Sequence, residues 1–376
     1  MQVTFSELDL KQLSTVQVFV RKNLNLETQI SQGITDGKWI EELINLCQEI
    51  SLSVPNQEFP LIYAGVLLAR NHHVHNAIKV LRLCQKSVFG KTLAEYLSDT
   101  QSFSKRVKTF KEAKPYDAWM QTEIYQSIRA GVFDMIKHFA TQNPPPSVDE
   151  PTIIDIGPGN GILTVEIVKQ LQQIYPLRAI HLIFIEPSKE MMALAIQHCQ
   201  ASLPIPVQIT PLCHCTLQSM TSREWKILQE YQPIWFINAS LSLHHIPREI
   251  KIPNLKILNS LSTFLLISEI DDNLEELEDG SPELIYTINE IYSHAIQEVL
   301  NITSASALDK KSCIDSFFLA DAITVLKNIQ ELRVEHWMSI SQWQKMAQLA
   351  GFQVVKTTPL VSSVPFFTLE LKSQPA

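Results

Sequence analysis

Glycine is scarce in this chain, ten in 376 residues, and several other features are missing with it. No apolar run approaches the roughly 18 residues that a bilayer span needs, which excludes a helical membrane protein. Met1 to Leu10 is polar and acidic where a secretory signal would be basic and then apolar, so the expected compartment is the cytoplasm. Cysteine lacks paired spacing. Cys47, Cys84, Cys199, Cys213, Cys215 and Cys313 form no C-x-x-C unit, which excludes a disulfide framework and implies free thiols. Asn238-Ala-Ser240 and Asn301-Ile-Thr303 match the glycosylation pattern, but without secretion the match has no consequence. Positive charge is also short: 31 Lys and Arg stand against 39 Asp and Glu, for a net charge of −8. A surface that cannot neutralise phosphates excludes a general nucleic-acid binder. The one basic cluster, Lys105 to Lys114, reads as a solvated helix face.

What the chain does have is concentrated. Three of the ten glycines, Gly157, Gly159 and Gly161, fall within five positions. Ahead of them Ile153, Ile154 and Ile156 make a β-branched run suited to a parallel strand covered on both faces, with Asp155 at its end. Behind them Leu163, Ile167 and Leu171 recur at helical period, so the first amides of a helix face the turn. The glycines let the backbone turn tightly and approach a ligand with no Cβ between. A dinucleotide site places a further glycine where the helix packs on the strand. Ile162 stands there instead, which argues against a nicotinamide-dependent dehydrogenase.

The spacing D-x-G-x-G-x-G resembles the first motif of the class I S-adenosylmethionine (SAM) methyltransferases, and the likeness continues downstream. Ile180 to Ile185 is a second apolar run, ending in Glu186. The resemblance implies a doubly wound α/β fold with a seven-stranded, mostly parallel sheet, and SAM as the cofactor. It also implies that Asp155, Gly157, Pro158, Gly159, Asn160 and Gly161 cradle the donor. Glu186, beside Pro187, would hold the two ribose hydroxyls, a task suited to a carboxylate because it accepts two hydrogen bonds side by side. After a third strand, Val207 to Thr210, come the residues that flank adenine in this family. Here they are Cys213, His214, Cys215 and Thr216, and the acidic residue the family often carries is absent.

The fourth strand, Ile234 to Asn238, leads into Asn238-Ala239-Ser240 and then Leu243-His244-His245-Ile246, which is similar to the L-H-H-[LIVM] segment of many small-molecule methyltransferases. Asn238 is expected to offer its carbonyl to the amino group of the donor. His244 and His245 are the candidates for a base. Chain neighbours rarely point the same way, so one of them is expected to enter the pocket. The other reading is that both bond neighbouring loops. The fifth strand, Phe264 to Ser268, ends in Glu269, which is expected to orient a histidine. Asp271 and Asp272 fit either that task or a solvated turn.

The flanks are helical. Residues 1–112 form an N-terminal helical domain in which Trp39, Ile40, Leu43, Ile44, Cys47 and Ile50 share one face and Pro60 to Ala69 is apolar throughout. Such a stripe needs a partner, so this domain is expected to cover a substrate, to form a homodimer, or both. His72, His73 and His75 have no acid or cysteine near them and are expected at a turn; Cys213-His-Cys215 reads likewise, and no metal is expected. The second domain spans 113–376. In it Tyr116 and Trp119 either touch the donor or acceptor or belong to the core, and Asn143-Pro-Pro-Pro-Ser147 makes a stiff link. A helical cap interrupts the sheet pattern between about 272 and 335. Ser281-Pro282 opens its first helix, and Phe318, Ala322, Val325 and Ile329 mark a second. Tyr286, Tyr292, Phe317 and Phe318 are the cap's candidates to line an acceptor site. Ser339 to Gln342 is a capping box for a helix that Gly351 stops, and Phe352 to Val355 and Pro365 to Leu371 are the last two strands. The resulting expectation is a SAM-dependent methyltransferase acting on an oxygen of a small, partly apolar molecule, of the kind found in specialised metabolism. A non-catalytic interaction or regulatory protein of the same fold is the alternative.

Overall fold

The structure, a computed structural model, describes residues 7–29, 38–51, 57–104, 114–213, 216–328, 332–360 and 363–374. The chain divides into two compact units, Met1–Lys108 with Glu276–Arg333, and Thr109–Glu275 with Val334–Ala376. None of the described helices is long and apolar enough to cross a membrane. The basic cluster at 105–113 lies outside the described residues.

The second unit is built on a seven-stranded sheet: β1 (Thr152–Ile156), β2 (Ile180–Glu186), β3 (Val207–Cys213), β4 (Ile234–Ser240), β5 (Phe264–Ile270), β6 (Phe352–Leu360) and β7 (Phe366–Ser373). Their order is β3-β2-β1-β4-β5-β7-β6. The first five strands run parallel, and β7 is antiparallel to both β5 and β6. Every residue of β1 and β2 is buried, as expected of strands covered on both faces, whereas β3 at the edge is half exposed. One side of the core joins Ile154, Ile183 and Ile237 to Leu255 and Leu258 of the helix Arg248–Leu261 and to Trp343 of the helix Ile340–Leu349. That last helix starts at the capping box formed by Ser339 and Gln342, and Gly351, at φ +87, lets the chain leave it. The chain winds outward from β1 to β3 and then returns to pair β4 with the other side of β1. This reversal leaves a crevice at the carboxyl ends of β1 and β4, where open α/β sheets place ligands.

The other unit is helical in all of its described residues that form regular structure. Phe59–Arg70 is buried from Phe59 to Ala69, which makes it the central helix of its unit. Gly65 allows close approach, because a Cβ there would stand 2.5 Å from Cγ of Leu81. Pro282–Asn301, capped by Ser281, belongs with these helices through Leu284, Ile288, Ala295 and Val299. The segment expected as a cap on the sheet domain thus clusters, between Glu276 and Arg333, with the N-terminal helices. The physical reason is the apolar stripe of each part. Neither can bury its own stripe alone, and full burial of each large aliphatic or aromatic side chain contributes about 1.5–3 kcal/mol.

Candidate active site

Backbone conformation explains each glycine of the turn. Gly157, Gly159 and Gly161 have φ of +71, +57 and +79, values that side-chain-bearing residues rarely adopt. A Cβ on Gly157 would stand 2.6 Å from Cβ of Ser242, and one on Gly161 would stand 2.6 Å from Cα of Ala195; at Gly159 it would meet nothing within 4 Å. The outer two glycines therefore serve packing, and the middle one faces open space. Asn160 holds the turn's shape. Its Oδ1 accepts from the Ile162 amide at 3.2 Å, and its carbonyl lies 2.7 Å from Nδ1 of His198. Asp155 is buried and points inward, accepting from Thr164 Oγ1 at 2.5 Å and from Asn238 Nδ2 at 2.8 Å. It thereby ties β1, the following helix and β4 together.

Glu186 stands at the end of β2 against the turn. Its Oε1 accepts from the Ser188 amide at 2.8 Å, and the Gly159 amide also donates to this carboxylate. Burial raises its pKa to about 7 even though both amides favour the ionised form. Tyr116, Tyr125, Arg129, Asn160, Asn238 and Leu241 close the crevice around Asp155 and Gly157 and leave about 20 Å³, room for a single water molecule. Tyr116 and Trp119 both stand edge-on to Tyr125, at 6.2 and 5.9 Å between ring centroids. Burial and the Tyr125 neighbour push the Tyr116 phenol well above its ordinary range.

A second constellation forms at the ends of β4 and β5. Leu241 has φ +53, an uncommon conformation for a branched side chain, and its amide donates to the Ser268 carbonyl at 2.8 Å. The turn it makes aims three successive amides, those of Ser242, Leu243 and His244, at Oε1 of Glu269, at 3.1, 2.7 and 3.2 Å. Oε2 of Glu269 lies 2.6 Å from Nδ1 of His244. Burial alone would raise the pKa of Glu269, but His244, the Leu243 amide and Lys251 together hold it below its ordinary value. On the other side of the ring, Nε2 of His244 is 3.5 Å from Oε2 of Glu335, and Nδ1 of His245 is 3.2 Å from Oε1 of the same carboxylate. His244 is nearly buried, with 10% of its side chain exposed against 34% for His245. Behind them His336 bonds Glu275, and Lys251 donates to the His336 carbonyl at 2.8 Å over the Trp343 ring. Burial lowers the Lys251 pKa to about 8, against the pull of Glu269, Glu275 and Glu335.

The strand order and the antiparallel β7 decide the architecture. The sheet has the class I methyltransferase fold. Among solved structures, the chain is similar to SCL7 of Oryza sativa at 12% identity and a TM-score of 0.58, over 94% of this chain and 99% of that one. Magnesium protoporphyrin IX methyltransferase (ChlM) from Synechocystis PCC 6803, solved with bound SAH, matches at 14% identity and a TM-score of 0.40, over 69% of this chain and 94% of that one. The cyclopropane synthase MmaA2 of Mycobacterium tuberculosis matches at 10% identity and a TM-score of 0.38, over 64% and 83%. Likeness at such identity is one of fold alone. No protein-family model matches the chain, and no curated protein sequence does.

On this methyltransferase fold the expected residues divide. The turn residues with Pro158, Glu186 and its neighbour Pro187, and Asn238 with Ala239 and Ser240 all fall at the carboxyl ends of β1, β2 and β4. Ala239 is wholly buried in the core, so it can offer backbone only. Cys213 is exposed at the end of β3 and Thr216 is half-buried beyond it, while His214 and Cys215 lie outside the described residues. Tyr116 lines the crevice. Trp119 is buried against Tyr125. The four aromatics expected to line an acceptor site sit in the helical unit and pack there. Tyr286 is edge-on to Phe59 at 5.0 Å, and Phe318 contacts Tyr292 and Phe317 at 6.1 and 5.0 Å. Tyr292 and Phe318 are among the buried residues of their helices. Asp271 accepts from the Ile340 amide at 2.9 Å and so anchors a helix start. Glu335 and Lys251 were missed. Nothing local marks Glu335; the only sequence signal is its place just before Trp337, where the sheet pattern resumes.

Proposed function

We propose that this chain is a SAM-dependent methyltransferase acting on an oxygen of a small, partly apolar acceptor. One observation carries the reading. The glycine turn and Glu186 face each other at the ends of β1 and β2, and the histidine–carboxylate constellation stands at the ends of β4 and β5, along the same edge of the sheet. SAM supplies an electrophilic methyl group on a sulfonium. Gly157 to Gly161 would hold the donor through backbone amides, Glu186 would take its ribose hydroxyls, and the Asn238 carbonyl would receive its amino group. Methyl transfer to a hydroxyl oxygen releases a proton, and His244 and His245 are the groups placed to take it. Glu269 fixes the His244 ring through Nδ1, and a well-placed base contributes on the order of a hundredfold or more in rate. Calorimetry with SAM and with its demethylated product tests the reading: absence of binding at concentrations on the order of tens of micromolar would end it.

The two amides that already occupy Glu186 favour a second reading, a protein of this fold that binds a partner and transfers nothing. Mass spectrometry of the purified chain separates the two. Co-purifying SAM or its product supports transfer, and a ligand-free chain that ignores added SAM supports the second reading.

A further inference from the structure

Glu335 lies far in sequence from the adjacent pair His244 and His245, yet one potential ligand atom from each of the three falls within 4.8 Å of the others. Three observations set this group apart from an ordinary buried ion pair. Glu335 is 3% exposed, and although its Oε2 accepts from Trp337 Nε1 at 2.9 Å, its Oε1 has only Nδ1 of His245 beside it, at 3.2 Å, a nitrogen that is equally close to the Val334 carbonyl, and makes no well-aligned hydrogen bond. Buried carboxylate oxygens are normally bonded, so this one is placed for a ligand. In a neutral His244 ring whose Nδ1 donates to Glu269, the remaining nitrogen, Nε2, faces Glu335 across 3.5 Å with a lone pair to offer a ligand. A histidine that gives one N–H to a carboxylate and presents its other nitrogen is the usual support of a metal ligand. Lys251 donates to the His336 carbonyl, and the structure gives it no hydrogen bond to Glu335.

We propose that His244, His245 and Glu335 form a site for a divalent cation of the zinc type, with one coordination position open on the exposed His245 side. Nitrogen and oxygen ligands about 2.0–2.2 Å from a tetrahedral ion stand roughly 3.3–3.6 Å apart. Each histidine nitrogen faces its own Glu335 oxygen, Nε2 of His244 at 3.5 Å from Oε2 and Nδ1 of His245 at 3.2 Å from Oε1, and one ligand atom from each residue lies within 4.8 Å of the others, so a small closure of the group reaches that spacing. Two histidines and a carboxylate with a free fourth position suit zinc, which takes nitrogen and oxygen ligands without a geometric preference of its own. Nδ1 of His245 also lies 3.2 Å from the Val334 carbonyl, so the cation displaces the proton shared there, as metal binding to histidine generally does. The open position takes a water or a hydroxyl oxygen, whose proton the cation makes easier to lose. This inference does not rest on the methyl-transfer reading; with the cation bound, the two histidine nitrogens are ligands and the base role given to them above passes to an oxygen at the open position.

The test uses the full chain, stripped with a chelator and titrated with zinc by calorimetry, then with cobalt followed by visible absorption. The expected result is one ion per chain with a tetrahedral cobalt spectrum. Glu335→Gln and His245→Ala each weaken binding by about tenfold or more, and Glu269→Gln weakens it by about 10–100-fold through the His244 ring. A triple variant with His72, His73 and His75 each changed to Asn keeps full affinity. A folded wild-type chain that binds no stoichiometric ion would overturn the proposal without recourse to any variant. Binding that survives Glu335→Gln but is lost in the triple variant would overturn it as well. SAM calorimetry on the same samples keeps the two readings separate, because the donor crevice uses none of these ligands.

Discussion

Glu186 and Glu269 are both buried carboxylates at one edge of one sheet, yet their surroundings push them in opposite directions. Glu186 receives amide bonds from Gly159 and Ser188, and burial still prevails, so that it titrates near neutrality with a pKa of about 7. Glu269 is as deeply buried but receives three amides, faces His244 and senses Lys251, and its pKa falls below the ordinary value. The donor side is thus made of backbone around a carboxylate that can hold its proton, ready to trade it for a ligand. The histidine side is built around a carboxylate, Glu269, that three amides and His244 already satisfy with no ligand bound. Stability should therefore depend most on Glu269 and ligand affinity most on Glu186.

The hardest test of that comparison is Glu269→Ala. It strands three buried amides and the His244 ring, and loss of one partner from such a pair costs about 3–5 kcal/mol, read as a lower urea midpoint. A loss under about 1 kcal/mol would show that the amides find other acceptors and that the two carboxylates are not so different. Gly161→Ala comes next. It combines φ +79 with a Cβ 2.6 Å from the Ala195 backbone, and strain and overpacking together predict about 3 kcal/mol of destabilisation. Since the damage is to packing, donor affinity per folded molecule should change less than stability does.

Glu186→Ala reverses the pattern, with stability nearly kept and SAM affinity weakened by about 1.5–3 kcal/mol as the charge-assisted bonds are lost. The pH dependence sharpens the contrast. The folded value of about 7 lies above the ordinary 4.5, so the folded chain holds this proton more tightly than the unfolded one. The stability this confers is complete below about pH 4.5 and is lost as pH rises through 7. SAM binding, which needs the carboxylate, gains over the same window and releases a proton near neutral pH. Calorimetry in buffers of different ionisation enthalpy should detect that proton, and Glu186→Gln should abolish it.

These two regions also differ in how far the chain announces them. The donor side is contiguous: a β-branched run, three glycines and a helix within about twenty residues fix a strand–turn–helix whose conformation is local. All seven strands and the capping box at Ser339 were legible for the same reason, since period and caps are properties of short segments. The histidine side draws on residues 244, 245, 269 and 335, brought together only by strand order, and no window of sequence contains it. Tyr292 and Phe318 are buried against each other, a packing that helical spacing alone did not specify, because it does not say which surface a stripe will cover. The bounds of the cap, about 272 to 335, lie close to Glu276–Arg333, but only tertiary contact groups that segment with the N-terminal helices, and no short stretch of sequence carries that information.

Gly159→Ala is the smallest change and the most specific to a ligand. Holding an alanine at φ +57 costs about 1–2 kcal/mol, and no neighbour within 4 Å adds to it. Unlike Gly161→Ala, it should leave packing intact and lower the urea midpoint only by that backbone cost. The new methyl group would instead project into the space the turn leaves open beside Glu186. If that space belongs to the donor, SAM affinity must fall by more than stability does, whereas for Gly161→Ala the order is reversed. Equal losses in both variants would mean that the glycines serve the turn's shape alone, and the open side of Gly159 would then have no ligand to account for it.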